Sequence, residues 1–327
     1  MDILIKRKEP KPSIVLDTYW KFAEERQNIF FNRIYQKYPL TNDPILDKHK
    51  FTNAYRASDR VSQYLINNVI YSKYSFSNLD TLFRILLFKI FNKISTWELI
   101  EGKLGIINFE NFSFKRINQL LTEAKQSKQT IYSGAYIMTS GQSMFGYKSK
   151  HSNHLKLLER YVTPSLLHRI ENSRSLQEIY NILLNMPTFG PFLAYQYTID
   201  INYSNIIDFS EMDFVVPGPG ARDGIKKCFV NLGDYTEDDV IRWVTEKQES
   251  EFERLNIEFK TLWGRSLQLI DCQNLFCETD KYARVAHPDI QGISDRKRIK
   301  QIYKPLNNQI SYFYPPKWDI NNYIKGE

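Results

Sequence analysis

The chain is poor in the residue types that staple small folds or ligate metals. Its 327 residues include three cysteines, Cys228, Cys272 and Cys277. These are too few for a disulfide framework and supply neither a four-thiolate cluster nor a paired zinc motif. Five histidines are scattered, and the one close pair, His151 and His154, lies in a basic polar stretch beginning at Lys148. That stretch reads as a solvated loop or a helix start, so no metal and no cofactor is expected. Residues 1–17, MDILIKRKEPKPSIVLD, carry no long apolar run behind their basic side chains. They read as neither signal peptide nor membrane anchor, which predicts a cytoplasmic protein with no membrane partner. A Gly-Lys-Ser/Thr phosphate-binding motif is absent as well, which disfavours nucleoside triphosphate hydrolysis. Strand-like alternation is thin, and neither an internal repeat nor a long linker stands out.

Apolar residues at three- and four-residue spacing recur from end to end, so the expected class is all-α. A hydrophobic content of 42% can build a substantial core. The net charge of +7 favours an anionic partner such as double-stranded DNA. Asp17 is the expected cap of a helix over 18–33, and an unbroken helix is expected over 55–70. A central, mostly apolar helix should span 79–94, with an amphipathic one over 114–125. The glycine- and aromatic-rich stretch 131–147 is consistent with a helix and turn lining a cavity, with a strand as the alternative. Further helices are expected over 155–161, 175–185, 192–201, 237–263 and 267–282. The predicted organisation is a monomer of two interleaved helical subdomains, 75–205 and 1–74 plus 206–327.

The turn Met186–Pro191 between two of these helices has the layout of a helix-hairpin-helix, whose backbone N–H groups hold a DNA phosphate with Gly190 closest to it. An ordinary αα-hairpin gives the same pattern. The segment 216–224 is glycine-rich and opens a helix. Gly218, Gly220 and Arg222 could form an anion-binding nest, with Lys226 and Lys227 as further DNA contacts, or they could form a plain tight loop. Two stretches place amides and charges among apolar neighbours. Asp271, Asn274, Glu278 and Lys281 share one helical face, and Asn53, Arg56 and Arg60 share another, with Glu24 and Arg26 able to join them. Such stripes suit either intramolecular pairing or reading the edge of an extruded base. The basic run Arg296–Lys300, followed by Tyr312, Phe313, Tyr314 and Trp318, suits phosphate contact and stacking.

These two polar stretches, together with 19–26, 83–92, Thr96-Trp97-Glu98, the Gly218–Ala221 turn and the Cys277–Tyr282 run, resemble the helical domain found in thymine-hypermodification systems of phages. That family carries the labels glutamyl/putrescinyl-thymine pyrophosphorylase and 5-hydroxymethyluracil DNA kinase helical part. The resemblance implies a divergent helix-hairpin-helix DNA glycosylase fold. Without a P-loop the chain is similar to the stand-alone glycosylase-like members, one branch of which excises glucosylated hydroxymethylcytosine from phage DNA in defence.

On that basis the expected activity is monofunctional base excision leaving abasic sites. The catalytic aspartate of such enzymes falls about twenty residues beyond the hairpin, a spacing that points to Asp213, with Asp208 nearby. Asp213 would stabilise the sugar cation, or act merely as a helix cap. Glu24, Arg26, Asn53, Arg56, Asn274, Glu278 and Lys281 would wall the base pocket. A transferase modifying 5-hydroxymethyl-pyrimidines in DNA and a non-catalytic binder of modified DNA are the alternatives.

Overall fold

The computed structural model describes residues 7–305 and 310–324. It is predominantly helical, an all-α protein. Among the described residues the one strand pairing is a short antiparallel contact of Lys11–Pro12 with Phe229–Asn231. No described helix is long and apolar enough to cross a membrane.

The chain forms two compact units. Unit 1 comprises the described residues of Met1–Asp59, Phe214–Ser311 and Asn322–Glu327, and unit 2 those of Arg60–Asp213 and Tyr312–Asn321. The boundaries fall at 59/60, 213/214, 311/312 and 321/322.

Unit 1 is organised around the helices Ile14–Ile34, Pro219–Cys228 and Leu269–Ala286. The first begins earlier than expected. Ser13, not Asp17, is its cap, accepting from the Val15 amide at 3.1 Å while its own hydroxyl donates to the Lys227 carbonyl at 2.5 Å. Its inward face buries Tyr19, Trp20, Phe22 and Phe30. The two later helices touch almost backbone to backbone. A Cβ on Gly220 would lie 2.2 Å from Cys277 Sγ, and one on Gly224 2.0 Å from the Phe276 carbonyl oxygen. Those glycines are therefore contact points between helices, and at Gly224, where the neighbour is backbone, any side chain would force the pair apart.

In unit 2 the core helix runs Asn78–Phe91, opened by a Ser77/Asp80 capping box and closed by Asn92 in the left-handed conformation. The expected single helix over 55–70 breaks into a 3₁₀ turn Arg56–Ser58, a short helix Arg60–Tyr64 and a π-helix Leu65–Ile70. Tertiary partners explain both irregularities. Near its start, Arg56 N donates to Asp271 and Ser58 O accepts from the Asn53 amide group, so side chains take over backbone bonds that a helix would use. Further on, a π-helix leaves carbonyls misaligned, and Arg84 satisfies those of Val69 at 3.1 Å and Asn68 at 3.3 Å.

Residues 131–149 form a loop with one helical turn, Gln142–Phe145, and no strand. His151 and His154 are not solvated, as the sequence suggested. Both are buried on helix Lys150–Tyr161. His154 links Tyr132 Oη at 2.9 Å to the Thr139 carbonyl at 2.8 Å, and burial lowers its pKa to about 4.

Candidate functional site

The two polar stretches meet in unit 1. Arg26 is almost fully buried, and its guanidinium donates to Thr52 O at 2.8 Å and to Asn53 Oδ1 at 3.0 Å. The Thr52 amide in turn donates to Glu278 Oε2 at 3.0 Å, and Lys281 Nζ lies 3.2 Å from that same oxygen. Asn53 completes the core of the network, its backbone N–H donating to Asp59 at 2.8 Å and its side chain to Ser58 O at 2.7 Å. Asp271 holds the Arg56 amide at 2.8 Å and the Gln268 amide at 3.0 Å, which caps the long helix at the same time.

An aromatic wall adjoins these polar groups. Phe22, Phe51 and Tyr282 pack edge-on or tilted with centroids 5.4–6.2 Å apart, Lys281 lies over the Phe51 ring, and Tyr282 Oη donates to Asp43 at 2.6 Å. Phe22 and Phe51 are themselves buried, so this wall closes one side of the polar network.

The other residues singled out for the pocket stand differently. Glu24 is half-buried and faces the segment around Glu258; burial and neighbouring Glu25 raise its pKa, while an N–H of Glu258 opposes the rise. Asn274 is half-buried and accepts from Gln273 at 3.1 Å. Sequence reasoning missed Thr52, which contributes backbone only, and Asp59, although Arg56 and Arg60 stand beside it in sequence and could have pointed to it.

Burial, with the Glu278 carboxylate nearby, pushes the Asp59 carboxyl up to about 7, against the opposing pull of the Asn53 N–H, Arg26 and Arg56. The sign follows directly. The folded chain keeps this proton where the unfolded chain, with an ordinary carboxyl near 3.8, has lost it. Stability from this group is therefore complete below about pH 4 and is lost as pH rises through about 7. Denaturation midpoints of wild type and Asp59→Asn, compared from pH 4 to 8, should diverge in favour of the variant across that window and run parallel above it.

The DNA contacts expected from sequence also divide. Lys226 and Arg222 are exposed, and Arg222 pairs with Glu237 at 2.9 Å. Lys227 is buried, with its ammonium 2.9 Å from Asp280, which also receives Arg284 at 2.5 Å. That pairing turns Lys227 inward, away from any phosphate. Gly220 packs against the long helix as described, and Gly218 is the extended N-cap of Pro219–Cys228. Gly190 is the extended N-cap of Pro191–Asn202, with open space where a Cβ would stand. Asp213 belongs to unit 2, is exposed, and accepts from the Leu176 amide at 3.3 Å at a helix start. It serves there as a cap.

A helical chain with a polar network of this kind defines a class before it defines a protein. Residues 13–292 match the family model described as the 5-hmdU DNA kinase helical domain. The chain belongs to that family. The 5-hmdU DNA kinase of Bacillus phage SP10 is 26% identical to it, over 98% of this chain and 52% of the relative. The chain thus spans about half the length of the curated relative it matches. No solved structure matches.

These findings correct the expected activity. The family and the relative are named for a kinase, a phosphoryl-transferring enzyme, and not for a base-excising hydrolase. Base excision, abasic-site formation and the defence role attached to them are set aside, and with them the assignment of Asp213 as a glycosidic catalyst. The transferase alternative fits better.

Proposed function

We propose that this protein takes part in group transfer to 5-hydroxymethyl-pyrimidines in DNA, as the helical component of a hydroxymethyluracil-directed kinase or related transferase. The observation that carries this reading is the family match across 13–292. In unit 1, the half-buried Glu278 and Lys281 would read the edge of the modified base, held in place by Arg26, Asn53 and the Thr52 backbone. The extended basic segment, in which Lys297, Arg298 and Lys300 are exposed, would hold the strand backbone. With no Gly-Lys-Ser/Thr motif in these residues, the reading gives this chain recognition and presentation of the acceptor hydroxyl rather than a P-loop grip on the phosphoryl donor.

The test measures binding of the protein to duplex DNA containing hydroxymethyluracil and to a thymine control. The modified duplex should bind more tightly. Equal binding to both DNAs would overturn the reading. Replacing Lys297, Arg298 and Lys300 by alanine should weaken binding to either DNA and flatten the slope of log K against log salt by about 3, roughly one for each phosphate no longer neutralised.

A further inference from the structure

Unit 2 contains a buried ion pair that the unit 1 network does not involve. Lys89, near the end of the core helix, places Nζ 2.8 Å from Asp200 Oδ2 on helix Pro191–Asn202, and both residues are almost completely enclosed. Burying two charges is costly, and well-packed apolar residues of similar size usually serve stability as well or better. What covers the pair is unusual. The Tyr136 ring lies over the Lys89 ammonium at 4.1 Å and stacks parallel on Phe192, centroids 5.7 Å apart.

Tyr136 belongs to the 131–149 loop and is held at φ +57, a left-handed conformation that strains a bulky residue. The loop is anchored at its base. Asn153 bonds Ser140 O at 3.0 Å and both backbone groups of Tyr147 at 2.9 Å, and His154 holds Tyr132 and Thr139. Gly141 and Gly146, at φ +66 and +80, bracket its single helical turn. Tyr136 thus lies on the short span between the two residues that His154 holds, a strained aromatic on a cover that can lift.

We infer that Lys89, Asp200 and Phe192 form a ligand site closed by Tyr136, and that its occupant is an unstacked pyrimidine bearing an oxygen-rich substituent. A ligand replacing the Tyr136 ring must present a π-face to Phe192 and a negative or acceptor group to Lys89. Pyrimidines with hydroxymethyl or phosphate groups meet both requirements. Asp200 accepts from a ligand hydroxyl while keeping the lysine charged and in place. The pyrimidine could come from a DNA strand or from a free nucleotide. The choice of substituent rests on the function proposed above, whereas the existence of the site does not.

Tyr136→Gly is the decisive variant, because it removes the internal occupant and the backbone strain together. Affinity for single-stranded oligonucleotides containing thymine or hydroxymethyluracil, and for the free monophosphates, is measured by fluorescence anisotropy and calorimetry. The variant should bind at least one of these ligands about tenfold more tightly than wild type, whereas a merely structural tyrosine predicts unchanged or weaker binding.

The double variant Lys89→Met with Asp200→Leu should fold with an unchanged helical circular dichroism spectrum and abolish that gain when combined with Tyr136→Gly. Tighter binding of oligonucleotides alone assigns the site to a DNA base, and tighter binding of the monophosphates assigns it to a free nucleotide. If thymine and hydroxymethyluracil gain equally, the site stands and the hydroxymethyluracil reading fails. No gain for any ligand in Tyr136→Gly, or a gain that survives loss of the ion pair, overturns the inference.

Discussion

Gly224→Ala is expected to open unit 1 while leaving unit 2 intact. The added methyl would stand 2.0 Å from the Phe276 carbonyl oxygen, a backbone atom that cannot rotate away. Relief requires the helices Pro219–Cys228 and Leu269–Ala286 to separate by more than an ångström. That motion strains the Lys227–Asp280 pair and loosens the Leu275, Phe276 and Ile225 packing beneath. Overpacking a core commonly costs about 1–3 kcal/mol; a clash with backbone belongs at or above the upper end, roughly 3–5 kcal/mol. Hydrogen exchange should speed up in both helices of unit 1, with the core helix Asn78–Phe91 unchanged. Equal protection in wild type and variant would show that the helices do not approach as closely as described.

Arg84→Met should do the converse, weakening unit 2 alone. Arg84 is almost fully buried and is surrounded by acceptors: Glu101 at 2.8 Å, the Ile107 carbonyl at 2.6 Å, and the two carbonyls of the π-helix. Its guanidinium also lies over Phe76 and Trp97, 4.2 and 4.8 Å from their centroids. Methionine fills much of the volume but satisfies none of the acceptors, and the Glu101 carboxylate loses its cation. Removing one partner of a buried pair costs about 3–5 kcal/mol. Exchange should quicken first across Leu65–Ile70, where the orphaned carbonyls lie. A smaller loss in the double variant Arg84→Met with Glu101→Gln would identify the stranded carboxylate as the main penalty.

The all-α class was legible because amphipathic periodicity is a local signal, and most long helices fall close to where their patterns place them. Irregular stretches were not legible. Nothing between Tyr55 and Ile70 breaks a helix by itself, and the interruption comes from Asp271, 215 residues further along the chain from Arg56. Lys226 and Lys227 look equivalent in sequence, yet one faces water and its neighbour faces Asp280. Gly220 and Gly224 illustrate the same ambiguity, since glycine serves anion binding and close helix packing equally well. In the candidate site, the spacing of Glu278 with Lys281 and of Arg26 near Asn53 was readable. Their connection through the backbone of Thr52 was not, because main-chain partners leave no trace in side-chain pattern.

The unit 1 network also dictates an order of events at the ribosome. Thr52 and its partner Glu278 are 226 residues apart in the chain, a separation synthesised in roughly ten to several tens of seconds. Through that interval the N-terminal helix carries Tyr19, Trp20 and Phe30 without their late partners Phe276, Phe252 and Trp263, while the residues of Arg60–Asp213 are already emerging. The nascent chain therefore waits half-built, its first helix a natural client for chaperones until Leu269–Ala286 arrives to close over it.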